Sequence, residues 1–187
     1  MKLGSIPDRL AGGCWRLAIL VTTLTGCVSA PSQPVIERLD PNTATTLTVI
    51  KKPVELLAES IGGPSGDPFA FIAPFETDRM GTRAQYLWMS APSIEGAKLE
   101  LQLLCDGQPV TLPPVEGDVE HLGLSHAPYQ SPAPWSMQQY FQLPRDTLQC
   151  LAEAQKITLE TRPVTGEVAR FTVERKDLTE LRAFSSR

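Results

Sequence analysis

Aromatic side chains and histidines are scarce in this sequence of 187 residues, which has three Trp, three Tyr, six Phe and two His. Two histidines, His121 and His126, limit any imidazole chemistry to a single pair. No cluster of Lys or Arg is present, and 17 basic residues face 21 acidic ones for a net charge of −4. That balance argues against nucleic acid as a partner. The motifs S-x-x-K, H-E-x-x-H, G-x-G-x-x-G and the P-loop are all missing, and Ser65 sits in Gly63-Pro64-Ser65-Gly66, which is not a nucleophile elbow. Carboxylates are plentiful but scattered, so spacing singles out no glycosidase-like pair. These absences favour a protein that is not an enzyme and uses no cofactor.

What is present begins at the N-terminus. Lys2, Arg9 and Arg16, against one acid, Asp8, precede Leu17-Ala18-Ile19-Leu20-Val21-Thr22-Thr23-Leu24. This run is too short for a bilayer span, which needs about 20 apolar residues, and has the length of a signal-peptide core. It ends in Leu24-Thr25-Gly26-Cys27, which resembles the lipobox of bacterial lipoproteins. The resemblance implies cleavage before Cys27, a diacylglyceryl group on its thiol and a domain outside the cytoplasm. Val28 stands where an aspartate would retain a lipoprotein at the inner membrane, so the resemblance implies the periplasmic face of an outer membrane. One acyl chain binds marginally, whereas a diacylglyceryl group with a further amide-linked chain holds firmly. The alternative small-x-small cleavage site, Val28-Ser29-Ala30, is weak. The expected organisation is a signal peptide over residues 1–26, a lipidated tether over 27–38 and a single domain over 39–187.

Without residues 1–26 the chain carries 14 basic and 20 acidic residues, a net charge of −6. Cys14 leaves with the signal and Cys27 takes lipid. Cys105 and Cys150 remain, in a compartment where disulfides persist, and are expected to pair. On the chain-entropy model such a bridge stabilises by about 4 kcal/mol. Their separation excludes a C-x-x-C redox motif, and two cysteines alone make no zinc site.

The rest of the pattern is mainly β. Residues 45–50 are rich in β-branched side chains, and 54–58 follow as a second strand. Phe69, Phe71 and Phe75 share one parity despite Pro74. Tyr86 and Trp88 alternate with Leu87 and Met89, so that strand is apolar on both faces and central. Leu99, Leu101, Leu103 and Cys105 line one face of the next, and Asp106-Gly107 marks a hairpin turn. A short helix over 146–154 carries Cys150. Ile157, Leu159 and Thr161 align, as do Ala169, Phe171 and Val173. Asp177 and Glu180 have capping-box spacing ahead of a C-terminal helix with Leu178, Leu181 and Phe184. About eight short strands separated by Gly/Pro turns predict an antiparallel β-sandwich, immunoglobulin-like or similar, with one or two short helices.

Residues 113–136 show no period and are the expected functional surface, since long structureless loops are usually functional or disordered. His121 and His126, with Asp118 or Glu120, have the chemistry of a metal site, or are exposed loop residues. Tyr129 and Trp135 are either binding anchors or core residues folding the loop back. The Asp78-Arg79-Met80-Gly81 turn with Tyr86-Leu87-Trp88, and Pro41-Asn42-Thr43-Ala44-Thr45, resemble stretches of uncharacterised proteobacterial lipoproteins, a likeness that implies no activity. The leading expectation is a lipid-anchored envelope protein that binds an envelope partner. The alternatives are an envelope hydrolase using carboxylates or a His-based metal site in this loop, and a purely structural lipoprotein.

Overall fold

A computed structural model of the full chain describes residues 33–60, 68–93, 99–131, 136–163 and 167–187. The fold is mainly β, antiparallel and sandwich-like, as the patterning predicts. Its strands are β1 (Val35–Asp40), β2 (Thr45–Ile50), β3 (Val54–Ala58), β4 (Phe69–Arg79), β5 (Thr82–Pro92), β6 (Leu99–Cys105), β7 (Gln108–Pro109), β8 (Ser136–Gln142), β9 (Lys156–Pro163) and β10 (Ala169–Glu174). The helices are α1 (Arg145–Glu153) and α2 (Thr179–Ser185).

β4 and β5 are the spine. They pair without a break from Arg79↔Thr82 to Phe71↔Ser90, straight through Pro74. β5 also pairs with β8, so its two apolar faces are both covered, and Leu87, Trp88 and Met89 are fully buried. Burying each of these large side chains stabilises by roughly 1.5–3 kcal/mol. Two strands share the other edge of β4. β2 lies along residues 75–78 and β3 along residues 69–72, and the chain bends between them at Lys51-Lys52. This bend sends the sheet two ways: β2 continues to β1, and β3 continues through β10 and β9 to β6 and β7. Bent strands that serve two sheets are how sandwiches turn a corner.

One stretch ties the β6 branch of this sheet to β8. Residues 108–115 leave β6, where the Val110 amide donates to the Leu103 carbonyl at 2.9 Å. They then run beside β8, where the Val115 amide donates to Tyr140 at 2.9 Å and Gln142 donates to Pro113 at 2.8 Å. Residues 113–115, expected to be irregular, therefore act as an edge partner.

Two other expectations are corrected. Residues 35–38, assigned to the tether, belong to β1, which pairs with β2 from Val35↔Ile50 to Asp40↔Thr45. β1 is mostly exposed and held by backbone hydrogen bonds, so it has no apolar signature. The Asp177/Glu180 capping box is not formed: α2 starts after Leu178 without a side-chain cap, and Asp177 lies in a preceding 3-10 turn. Leu178, Leu181 and Phe184 are buried as expected.

Cys105, at the end of β6, is bonded to Cys150 of α1 with 6.4 Å between Cα atoms. The bridge fastens the helix to the sheet, and α1 also packs Leu148 and Leu151 inward. Both tight hairpins use two consecutive residues with positive φ, Met80-Gly81 and Asp106-Gly107. This is the turn whose twist matches the strands it joins. No helix among the described residues is long and apolar enough to cross a membrane.

Candidate functional site

The loop after residue 115 folds back on the domain rather than standing away from it. Leu122, Leu124 and Tyr129 are buried. The Tyr129 ring packs tilted on Trp88 at 5.3 Å and edge-on to Phe75 at 6.4 Å. Its hydroxyl accepts from the Ile50 amide at 3.0 Å and donates to the Pro74 carbonyl at 2.7 Å. Burial pushes the phenol well above its ordinary range, so it stays protonated and keeps its donor. Of the two readings of Tyr129, the core one describes its surroundings: at 7 % exposure it offers no binding surface.

The loop is pinned to the end of β1 by Asp40. The Ser125 amide donates to Asp40 Oδ2 at 2.7 Å, and the Ser125 hydroxyl lies 2.8 and 2.9 Å from the two carboxylate oxygens. The Asn42 amide donates to Asp40 Oδ1 at 3.0 Å. Foremost the Ser125 amide, then these other donors, hold the carboxyl down at about 2. Thr45 Oγ1 donates to the Gly123 carbonyl, and the Arg38 guanidinium to that of Pro128, both at 2.9 Å.

His126 Nδ1 lies 2.8 Å from Ser125 Oγ. Serine, histidine and aspartate are thus adjacent, but in the wrong order for a triad. In a triad the carboxylate holds the imidazole, which takes the serine proton. Here the carboxylate holds the serine, accepting the hydrogen bond of its hydroxyl. Ser125 Oγ also accepts from Asn42 Nδ2 at 3.1 Å. Towards His126 it has only a lone pair left, so Nδ1 must carry the hydrogen. The hydroxyl is a fully used structural link.

His121 serves the local turn. Asp118 caps the 3-10 turn Val119–Leu122, accepting from the Glu120 amide at 3.1 Å and meeting His121 Nδ1 at 3.2 Å. The His121 contact, ahead of that amide, lowers the Asp118 carboxyl from its usual range. Both histidines are exposed, each beside a local partner. Among the described residues no three His, Cys, Asp or Glu side chains are placed to hold a metal ion. Trp135, Cys27 and Ser65 lie outside the described residues.

A concave feature lies elsewhere on the described residues. It is a cleft of about 1080 Å³ between one face of β2, β4 and β5 and the helices. Its floor follows from pairing. Thr48 opposes Glu76, which opposes Gln85; one step along, Thr46 opposes Asp78, which opposes Arg83. Further along the same parity the residues are apolar, Ile72 opposite Met89 and Pro74 opposite Leu87, and buried. One face of these strands thus changes from core to polar floor. The wall is α1, which presents Arg145, Gln149 and Glu153, and Glu37 and Arg187 also line the cleft.

Hydrogen bonds fix much of this lining. Gln85 Nε2 donates to Glu76 Oε2 at 3.0 Å, and Gln149 Nε2 to Glu153 Oε1 at 3.0 Å. Arg83 Nε pairs with Asp78 Oδ2 at 3.0 Å, with Nη1 4.0 Å from Glu76, and Arg187 pairs with Glu37. Sequence reading passed over these residues. Polar alternation at Thr46/Thr48, Glu76/Asp78 and Arg83/Gln85 was the available signal, but only strand pairing places the three segments side by side. Comparison with known proteins finds no matching family model, no matching curated protein and no matching solved structure.

Proposed function

We propose that this chain is an outer-membrane lipoprotein, anchored through Cys27, whose β domain faces the periplasm and acts by binding rather than catalysis. The observation that carries the anchor is the sequence Leu24-Thr25-Gly26-Cys27 after a basic segment and a short apolar run. The Cys105–Cys150 bridge supports an oxidising compartment. β1 starts at Val35, only eight residues after Cys27. That length of chain spans at most about 30 Å, which keeps the domain close to the bilayer. The polar cleft supports binding: it is concave, of ligand size and built on strands and a bridged helix.

The test is metabolic labelling with an alkyne fatty acid, followed by membrane fractionation. The wild-type chain should carry label and sediment with outer membranes, and Cys27→Ser should lose the label and accumulate as a precursor. An unlabelled, water-soluble wild-type product would overturn the anchor.

A further inference from the structure

The cleft lining constrains what enters it. Acids and bases are intermixed: Glu37, Glu76, Asp78 and Glu153 against Arg83, Arg145 and Arg187, a net charge of −1. Two carboxylates are neutralised by guanidinium groups, at Glu37–Arg187 and Asp78–Arg83. A ligand of one strong sign, such as a polyphosphate or a polyamine, would meet a like charge wherever it met an opposite one. Leu143, Leu148 and Phe184, the apolar residues on the lining, are each 4 % exposed, so the larger part of the surface a ligand meets is polar.

What the cleft does offer is unused hydrogen-bonding capacity facing inward. Thr48 is 7 % exposed and lines the floor, and its hydroxyl bonds to no described residue. That hydroxyl is open to the cleft, so a ligand there can take the hydrogen bonds that water otherwise makes to it. Arg145, at the start of α1, has no ion-pair or hydrogen-bond partner among the described residues. Glu76 and Glu153 each use one oxygen on a glutamine amide, with Arg83 Nη1 4.0 Å from the other oxygen of Glu76, and both keep acceptor capacity. Arg145 and Glu153 are eight residues apart on one helix stripe, about 12 Å along the axis. A hydroxyl group both donates to carboxylates and accepts from threonine and guanidinium, so a chain of hydroxyls suits every position of this mixed lining.

We propose that the cleft binds a neutral, hydroxyl-rich ligand, an oligosaccharide a few rings long, along the stripe Arg145–Gln149–Glu153 with its inner edge on Thr48 and Glu76. The proposal takes up the binding role given above and does not depend on the anchor. The floor offers no aromatic platform, so recognition is by hydrogen bonds, and loss of one is read directly in affinity.

The test uses the full-length protein, purified from whole-cell extract in a detergent without a sugar headgroup. Calorimetric titration is made with neutral tetrasaccharides of the chitin, cellulose and maltose series, and with spermidine, inorganic phosphate and tetra-alanine. Saturable binding of at least one tetrasaccharide is expected. It should weaken about five- to tenfold in both Thr48→Val and Gln149→Ala, the loss of one hydrogen bond each. Unchanged melting temperatures would separate lost contacts from misfolding. Absence of saccharide binding, binding undiminished in both variants, or binding only of spermidine, phosphate or the peptide would overturn the proposal. Fatty-acid labelling of the same preparation reads the anchor separately, so either can fail alone.

Discussion

The Tyr129 hydroxyl donates to the Pro74 carbonyl at 2.7 Å across 55 positions of sequence. It also receives the Ile50 amide. β2 pairs with β4 only as far as Val49↔Phe75, and the next pair of backbone groups would be Ile50 and Pro74. The phenol thus stands where the ladder opens and satisfies both strands. Tyr129→Phe leaves a buried amide and a buried carbonyl without this partner, and each such group costs about 1–3 kcal/mol. Urea unfolding should show a loss of about 2–6 kcal/mol for the two groups together, with an unchanged m-value. A loss below about 0.5 kcal/mol would mean that water substitutes for the hydroxyl.

Asp40 gives a pH signature. Its carboxyl is held at about 2, below the ordinary aspartate value, first by the Ser125 amide. The folded state therefore binds fewer protons than the unfolded one just below the ordinary value. Its contribution is complete above about pH 5, fades as pH falls and is gone below about pH 2. Asp40→Asn should melt below wild type at pH 7, and the gap should close in melts taken at pH 4, 3 and 2. A gap independent of pH would assign the effect to shape alone.

The Cys105–Cys150 bridge should matter most locally. α1 makes no strand-type pairing and is joined to β6 by this bond. Replacing both cysteines with serine should cost about 2–5 kcal/mol. Hydrogen exchange should accelerate more over residues 145–153 than in β4 and β5. Equal acceleration everywhere would show that packing of Leu148 and Leu151, not the bridge, positions the helix.

How much was legible in the sequence depended on whether the signal was local. β2, β3, β5 and β6 each carry their own period or β-branched run, and Asp106-Gly107 announces its hairpin by residue type. The disulfide followed from counting cysteines. β1 was missed because its support comes from β2's backbone and not from buried side chains. The role of Tyr129 depends on two strands distant in sequence, so the loop's composition left core and surface readings open. The cleft floor was illegible for the same reason. Thr48, Glu76 and Gln85 look like solvent-facing positions of three separate strands until the register makes them one row.

The β4–β5 turn contains a residue choice at odds with its backbone. Met80 and Gly81 are its two central positions, with φ of 53° and 85°. Glycine meets that demand without strain, whereas a side chain in the left-handed region costs about 1–2 kcal/mol, less for asparagine. Met80 is 97 % exposed, so its side chain returns little by packing. Met80→Asn should therefore raise stability by about 0.5–1 kcal/mol. Gly81→Ala should lower it by about 1 kcal/mol although nothing lies within 4 Å of the added methyl, because the penalty is in the backbone alone. Denaturant midpoints for the two variants should move in opposite directions. A destabilised Met80→Asn would show that the methionine makes contacts its exposure denies, and a neutral Gly81→Ala would show that the turn relaxes to negative φ.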